Sequence, residues 1–519
     1  MSGETIFTLE NNPRVNEYGH NPDRSADESD VNGSPLRWRL ALHDLSRCTQ
    51  EHASSCYNPD TVTLPTRLLD ITGYRKNKIR LVTTDGSIVD KRYVALSYCW
   101  GTSNTFTLSK KTSNDFTLGF SPSCLPPTLQ DAVRVTADLG ITYLWIDALC
   151  IFQDSDGDWT TESSKMASVY GCAFVTVIAA NAGDCSNGFF QRSMDNSAAV
   201  GNRKHTLSFF KSRDEIISFQ DEPINARAWT LQELGLSPRR LVFSTSRTVF
   251  TCSQDLKTGQ ERNLFGKRIW VGLKPVVDLG EWGLVVENYS SRNLTHSEDK
   301  LAALAGLAEK FHHASGGELG KYVAGLWEAD LPQQLLWRRR NPFNRYQKAA
   351  KNERPEEWRA PTWSWASLDG NIDYTLNVLR VKRFDRAVVM SVDAPPASEQ
   401  NVFGKVTSGQ LTIRGPSMVS RTAEGLEIGP VPNEGGPSTL TRRGQEFVTV
   451  EFDIESDVDK LSQPTTELHF LAMINNPKES YGLALKRMGG DKFQRVGLFV
   501  PKNSSQWLQE SEMAVYTIV

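Results

Sequence analysis

Two rhythms of apolar and polar positions, helical and strand-like, alternate along this chain. Residues 1–35 follow neither of them: Asn, Asp, Ser, Gly and Pro dominate and large apolar residues are few, which predicts a disordered tail. From Leu36 a helical rhythm begins. Trp38, Leu40, Leu42 and Leu45 supply its apolar faces, and Cys48, His52 and Cys56 continue it at steps of four. Short β-type runs follow at 65–71 and 79–82, and Asp85-Gly86 predicts a tight turn between strands. Tyr93-Val-Ala-Leu-Ser-Tyr-Cys-Trp100 is apolar on both faces, as a buried central strand should be, with Ser97 and Tyr98 at its carboxyl end.

Helical and strand rhythms then alternate. Thr128-Leu-Gln-Asp131 fits a capping box, Leu129, Ala132, Val133 and Thr136 repeat at helical spacing, and Gly140 ends the helix. Residues 141–151 are nearly continuous apolar sequence and read as a second strand with Asp147 near its carboxyl end. An acidic turn at 154–158, a helix from Trp159 to Gly171 and a third apolar strand at 173–180 make a second crossover. Residues 207–210 and 216–219 suggest a hairpin. Asn225-Ala-Arg-Ala-Trp-Thr-Leu-Gln-Glu-Leu-Gly-Leu-Ser-Pro238 is a short helix stopped by Pro238, and strands at 240–243 and 248–252 follow.

Farther on, Ser297-Glu-Asp-Lys-Leu predicts a helix start, with Leu301, Leu304, Ala308 and Phe311 on its buried face, and a second helix is expected over 322–339. Trp363 and Trp365, two apart, place both indoles on one face of a strand. From 371 onward short β runs alternate with turns, with a mobile Gly/Pro loop near 424–440. The expected fold is α/β: a small doubly wound, mostly parallel sheet with inserted elements, then a helical layer and a β-rich C-terminal region. The expected boundaries are a tail to 35, the α/β domain over 36–270, helices over 271–370 and β structure over 371–519.

Composition narrows the function. A chain of 519 residues, 39% hydrophobic, suits two or three domains with ordinary cores. A net charge of −3 and the lack of a basic stripe argue against nucleic acid as partner. Eight Cys spread thinly suit a reducing compartment rather than a disulfide framework. No leader and no apolar run of membrane-spanning length is visible, so a soluble cytoplasmic protein is expected.

Motifs for phosphate cradles, serine hydrolases and zinc proteases are missing from the sequence. Cys99 and Cys150, the best placed cysteines for a Cys/His dyad, lie in apolar runs where a thiol is ordinarily inert. Asp147, Asp154, Asp156 and Asp158 miss a calcium-loop spacing and read as a solvated turn. Cys48, His52 and Cys56 offer either a thiol–imidazole metal site or one helix face of soft packing residues; ligands at i, i+4 and i+8 span too far along a helix for one tetrahedral ion and no fourth is evident, so no metal or resident cofactor is expected. Trp229 and Glu233, four apart, share one helix face. They suit either a core Trp beside a surface ion pair with Arg227 or Arg239, or a pocket that stacks a flat ring and stabilises adjacent positive charge. If the sheet forms, Ser97, Tyr98, Trp100, Asp147, Trp229 and Glu233 converge on its carboxyl edge, where aromatics beside a carboxylate suit a nucleotide-like ligand.

Several of these stretches together resemble the fungal heterokaryon incompatibility (HET) domain: Pro65-Thr-Arg-Leu-Leu-Asp70, Tyr93–Gly101, Leu125-Pro-Pro-Thr-Leu-Gln-Asp-Ala132, Tyr143-Leu-Trp-Ile-Asp-Ala-Leu-Cys-Ile151, Gln153-Asp154, Asp158-Trp159 and Asn225–Glu233, with Ala360-Pro-Thr-Trp-Ser-Trp-Ala-Ser367 downstream. Leu234-Gly-Leu-Ser237 departs from the pattern, which more often has a basic residue after the Glu. The resemblance implies self/non-self recognition and programmed cell death. HET domains are in turn distantly similar to TIR domains, which implies a flavodoxin-like sheet and a Trp-x-x-x-Glu helix whose Glu cleaves NAD. Ser97-Tyr98 and Trp229–Glu233 match those elements, with Thr230 where many TIR domains have Cys. On that resemblance Glu233 is the catalytic candidate and Ser97, Tyr98, Trp100, Asp147, Arg227 and Trp229 line the site. NAD is then substrate rather than cofactor, and self-association or a protein partner would assemble the site. A non-enzymatic death-signalling module and a HET-like enzyme of secondary metabolism are the alternatives.

Overall fold

The computed structural model describes residues 35–86, 88–102, 106–190, 222–245, 248–254, 279–339, 353–374, 384–421, 426–429, 438–442, 444–454, 466–475 and 480–519. The expected tail and the hairpin at 207–219 lie outside these residues. The chain divides into two compact units, Met1–Leu273 and Lys274–Val519.

The first unit opens with helices α1 (Pro35–Glu51) and α2 (Ala53–Cys56), separated by a break at His52. Its sheet has seven strands: β1 (Arg67–Asp70), β2 (Arg80–Thr83), β3 (Tyr93–Ser97), β4 (Tyr143–Trp145), β5 (Val175–Ala179), β6 (Arg239–Phe243) and β7 (Thr248–Cys252), in the order β2-β1-β4-β3-β5-β6-β7. The four inner strands β4, β3, β5 and β6 are parallel, and the outer pairings are antiparallel. Every residue of β3, β5 and β6 is buried, which is why the runs of β3 and β5 are apolar on both faces, while β6 opens on two buried arginines, Arg239 and Arg240. The crossovers between parallel strands carry α3 (Ser113–Leu118) and α4 (Pro127–Asp138) from β3 to β4, then α5 (Asp147–Cys150), α6 (Asp156–Ser164) and α7 (Met166–Cys172) from β4 to β5, and α8 (Trp229–Leu236) from β5 to β6. The first parallel strand, β3, lies between the second and third, as in a flavodoxin-like order. Winding therefore reverses there, and ligands of such sheets bind outside the carboxyl ends of the strands at that point.

Several local expectations are corrected. The β1–β2 hairpin turns through a short 3-10 helix at Tyr74–Lys76 and Asn77 at φ 57°, while Asp85-Gly86 joins strands that do not pair. Thr128 and Asp131 do not cap α4. The helix starts on Pro127, Thr128 bonds to the Asp184 carbonyl, and Asp131 accepts the backbone N–H groups of Phe189 and Phe190. The apolar run 141–151 is two elements, because the backbone turns into α5 at Asp147. The helix expected from Trp159 is two, α6 and α7, and Ser155 caps the first.

The second unit combines helices Leu279–Ser290 and Ala305–Ala314 with a β structure. Strands Gln410–Arg421, Glu467–Asn475, Ser480–Gly489, Lys492–Pro501 and Glu512–Ile518 pair in a closed ring, antiparallel except for the pair Lys492–Pro501 and Glu512–Ile518. The helix over 322–339 is replaced by a tight hairpin, a single helical turn and a strand. Ala324 (φ 47°) and Gly325 (φ 95°) turn the chain, and a Cβ on Gly325 would meet the Trp365 indole at 2.8 Å. Trp363 and Trp365 lie in a turn and a 3-10 helix capped by Ser364, not in a strand, and both are 0% exposed. The helix expected at Ser297 begins at Ala305, although Leu301, Leu304, Ala308 and Phe311 are buried as the pattern predicts. Within the span expected to be a loop, Leu426–Ile428 and Ser438–Arg442 pair as strands.

Candidate functional site

The carboxyl end of β3 delivers Ser97 and Tyr98 into the interior, and the chain then turns at Gly101 (φ 68°), where a Cβ would collide with the Asp184 carboxylate. Trp100 stands between, half-buried, and its Nε1 donates to Asp147 Oδ2 at 2.7 Å. Asp147 opens α5 after β4. It also accepts the N–H of Ala148 at 2.7 Å and a hydrogen bond from Tyr98. Burial pushes the Asp147 carboxyl above the ordinary carboxylate range, against the pull of Arg227 and these donors.

The position of α8 is fixed from the end of β5. Ile224 N–H donates to the Ala180 carbonyl at 3.2 Å, and the Thr230 hydroxyl reaches back to Ile224 O at 2.7 Å and Arg227 O at 2.8 Å. Near the helix end the Ser237 hydroxyl contacts Thr176 at 2.7 Å and Glu233 O at 2.6 Å, then Pro238 leads into β6. Arg227 donates to the Tyr98 carbonyl, and its guanidinium carbon stands 6.0 Å from the Trp100 ring centroid. Trp229 is half-buried and packs edge-on against Trp159, with centroids 6.0 Å apart.

Glu233 is 2% exposed. Burial raises its carboxyl to about 7, opposed by the charge of Arg227 and by hydrogen bonds from Ser97 and Tyr170. Its Oε2 has no hydrogen-bond partner. A buried carboxylate oxygen left unpaired is costly, so such an atom asks for an explanation. The Tyr170 hydroxyl also donates to the Leu96 carbonyl at 3.1 Å.

The structure thus brings together Ser97, Tyr98, Trp100, Asp147, Arg227 and Glu233 in one charged and aromatic cluster, with Trp229 on the same helix. Tyr98 is 1% exposed, so its ring is already covered by protein; Trp100 and Trp229 keep exposed surface. Tyr170, from α7, is the member that sequence reasoning missed. Cys99 and Cys150 are buried, and that burial pushes their thiols up to about 11 and about 12, as inert core cysteines would be. The acidic turn is engaged by protein: Asp154 accepts the Lys110 N–H, and both carboxylate oxygens of Asp158 accept from Arg67 Nη2. Cys48, His52 and Cys56 do converge, contrary to the straight-helix expectation, and Cys252 joins them.

Residues 93–233 match the family model described as Heterokaryon incompatibility protein (HET). The chain carries a HET domain. The matched segment begins with β3 and ends on Glu233, so every member of the cluster belongs to it, while β1, β2, β6 and β7 lie outside. No match was found among curated proteins or among solved structures. The HET domain supports a role of heterokaryon-incompatibility type. Among the described residues no helix is long and apolar enough to cross a membrane.

Proposed function

We propose that the HET domain cleaves the nicotinamide–ribose bond of NAD, in the manner the TIR resemblance implies, and that this activity underlies a programmed-cell-death response. The observation that carries the reading is Glu233: a buried carboxylate with an unpaired oxygen, held by Ser97 and Tyr170 at the carboxyl edge of a flavodoxin-like sheet. The glycosidic C–N bond breaks with its electron pair leaving on neutral nicotinamide. Water then adds its oxygen to the ribose carbon and releases a proton. Glu233 stabilises the oxocarbenium charge between these events. Trp100 and Trp229, whose rings keep exposed surface, stack on the bases. Asp147 orients Trp100 through its indole N–H. At 2% exposure Glu233 is closed to substrate, so this is a resting form, and self-association or a protein partner opens the site.

A second reading draws on that same burial: the cluster is a structural centre, and the HET domain signals death through a partner without chemistry. Incubating the full chain with NAD, under conditions that concentrate it, separates the two. Wild type releases nicotinamide, and Glu233→Gln lowers the rate by roughly 10²–10³. No turnover by wild type, together with cell killing that survives Glu233→Gln, would overturn the enzymatic reading and leave the signalling one.

A further inference from the structure

Four ligand-type side chains face one another outside the segment that matches the HET family. The thiol sulfurs of Cys48, Cys56 and Cys252 and a ring nitrogen of His52 all lie within 4.8 Å of one another. A tetrahedral zinc site, with Zn–S about 2.3 Å and Zn–N about 2.0 Å, has ligand atoms roughly 3.5–3.8 Å apart, so the set already has nearly the right size.

Local structure accounts for the convergence. Cys48 and His52 are one helical turn apart. In a straight helix Cys56 would lie about 12 Å along the axis from Cys48, at about 1.5 Å per residue. The helix breaks at His52 (φ −111°, ψ 2°), and α2 restarts beyond it. The fourth residue comes from far along the chain: Cys252 is the last residue of edge strand β7, and its sulfur lies 3.2 Å from His52 Nδ1. All three thiols are buried, at 1%, 3% and 0% exposure, while His52 keeps a path to solvent.

We propose that Cys48, His52, Cys56 and Cys252 bind one zinc ion, which fastens the N-terminal helices to strand β7. Three sulfurs and one imidazole in a tetrahedral array suit a soft d¹⁰ cation, and four protein ligands leave no open position, so the ion is structural rather than hydrolytic. Charge balance agrees. Three thiolates and Zn²⁺ sum to −1, and the buried guanidinium of Arg239, which pairs with Cys252 across β6 and β7 and donates to Cys48 Sγ at 3.2 Å, restores neutrality. The Gln254 backbone N–H also donates to Cys56, as outer-shell partners of metal thiolates do. None of the eight cysteines is in a disulfide, so no disulfide competes for these sulfurs.

The test is metal analysis of the full-length protein purified under reducing conditions. Wild type should hold about one zinc per chain. Cobalt exchanged into it should give the ligand-field and thiolate charge-transfer bands of a tetrahedral, sulfur-rich site. Cys252→Ser should lower zinc content by roughly tenfold or more, and Cys124→Ser, at an exposed cysteine elsewhere, should leave it unchanged. The wild-type cobalt spectrum stands even where Cys252→Ser does not fold. Folded wild type free of zinc and without a cobalt spectrum would overturn the proposal. So would a disulfide among Cys48, Cys56 and Cys252 in the reduced preparation.

Discussion

Glu233 holds a charge that its surroundings resist. Its ordinary value is 4.5 and burial lifts it to about 7. Between those values the folded chain keeps a proton that the unfolded chain releases, so the contribution to stability is full below about pH 4.5 and is lost as pH rises through about 7. Glu233→Gln is therefore expected to flatten the stability profile across that window and to be more stable than wild type above pH 7. The gain is on the order of 3 kcal/mol, read by urea denaturation at pH 5 and pH 8. Turnover that needs the carboxylate should rise with pH about a midpoint near 7. Tyr170→Phe removes one of the hydrogen bonds that lower the Glu233 value, so it should move that midpoint upward while leaving the Gln variant unaffected. A purely structural Tyr170 would change stability and leave the midpoint in place.

At the scale of elements, apolar rhythm was readable wherever a segment was buried on both faces. β3, β5, β6 and β7 lie where the runs put them, and the Trp229 helix ends where Pro238 stops it. Local signals failed where distant partners outbid them. Asp131 looked like a helix cap but is bound by the backbone of Phe189 and Phe190, and Trp363 and Trp365 turn inward around Gly325 rather than along a strand. The cluster around Glu233 was half legible: the spacing of Trp229 and Glu233 marks the helix, while Tyr170 carries no local sign of its partner, nor does Cys252, which joins the separate group of Cys48, His52 and Cys56. The bond between β1 and the start of α6 was likewise hidden. There Arg67 reaches Cys150 O at 2.7 Å and Asp158 at 2.6 and 2.7 Å. Arg67→Ala should cost about 2–3 kcal/mol in urea denaturation, since it strands the Asp158 carboxylate in a site only partly open to water.

Across the molecule, each unit has a core of its own. In the second, Arg495 is 0% exposed. It pairs with Asp453 at 3.1 Å, donates to Leu335 O and Trp337 O, and lies 3.3 Å from the Trp337 ring centroid. Arg495→Met leaves Asp453 buried with only the longer 3.9 Å contact to Arg354 among its ion pairs in the described residues, and should destabilise the second unit by about 3 kcal/mol or more, seen as an earlier loss of hydrogen-exchange protection over 410–519 than over 93–245. The HET domain places its cluster in the first unit, so NAD turnover, if measured below the unfolding range, should not follow that change. The most direct measurement is nicotinamide release from NAD by concentrated full-length protein, wild type against Glu233→Gln across pH 5 to 8. The account predicts a wild-type rate that climbs about a midpoint near 7, and a variant rate without that climb that is lower by roughly 10²–10³ at pH 8. Equal rates in the two proteins, or a wild-type rate indifferent to pH, would contradict it.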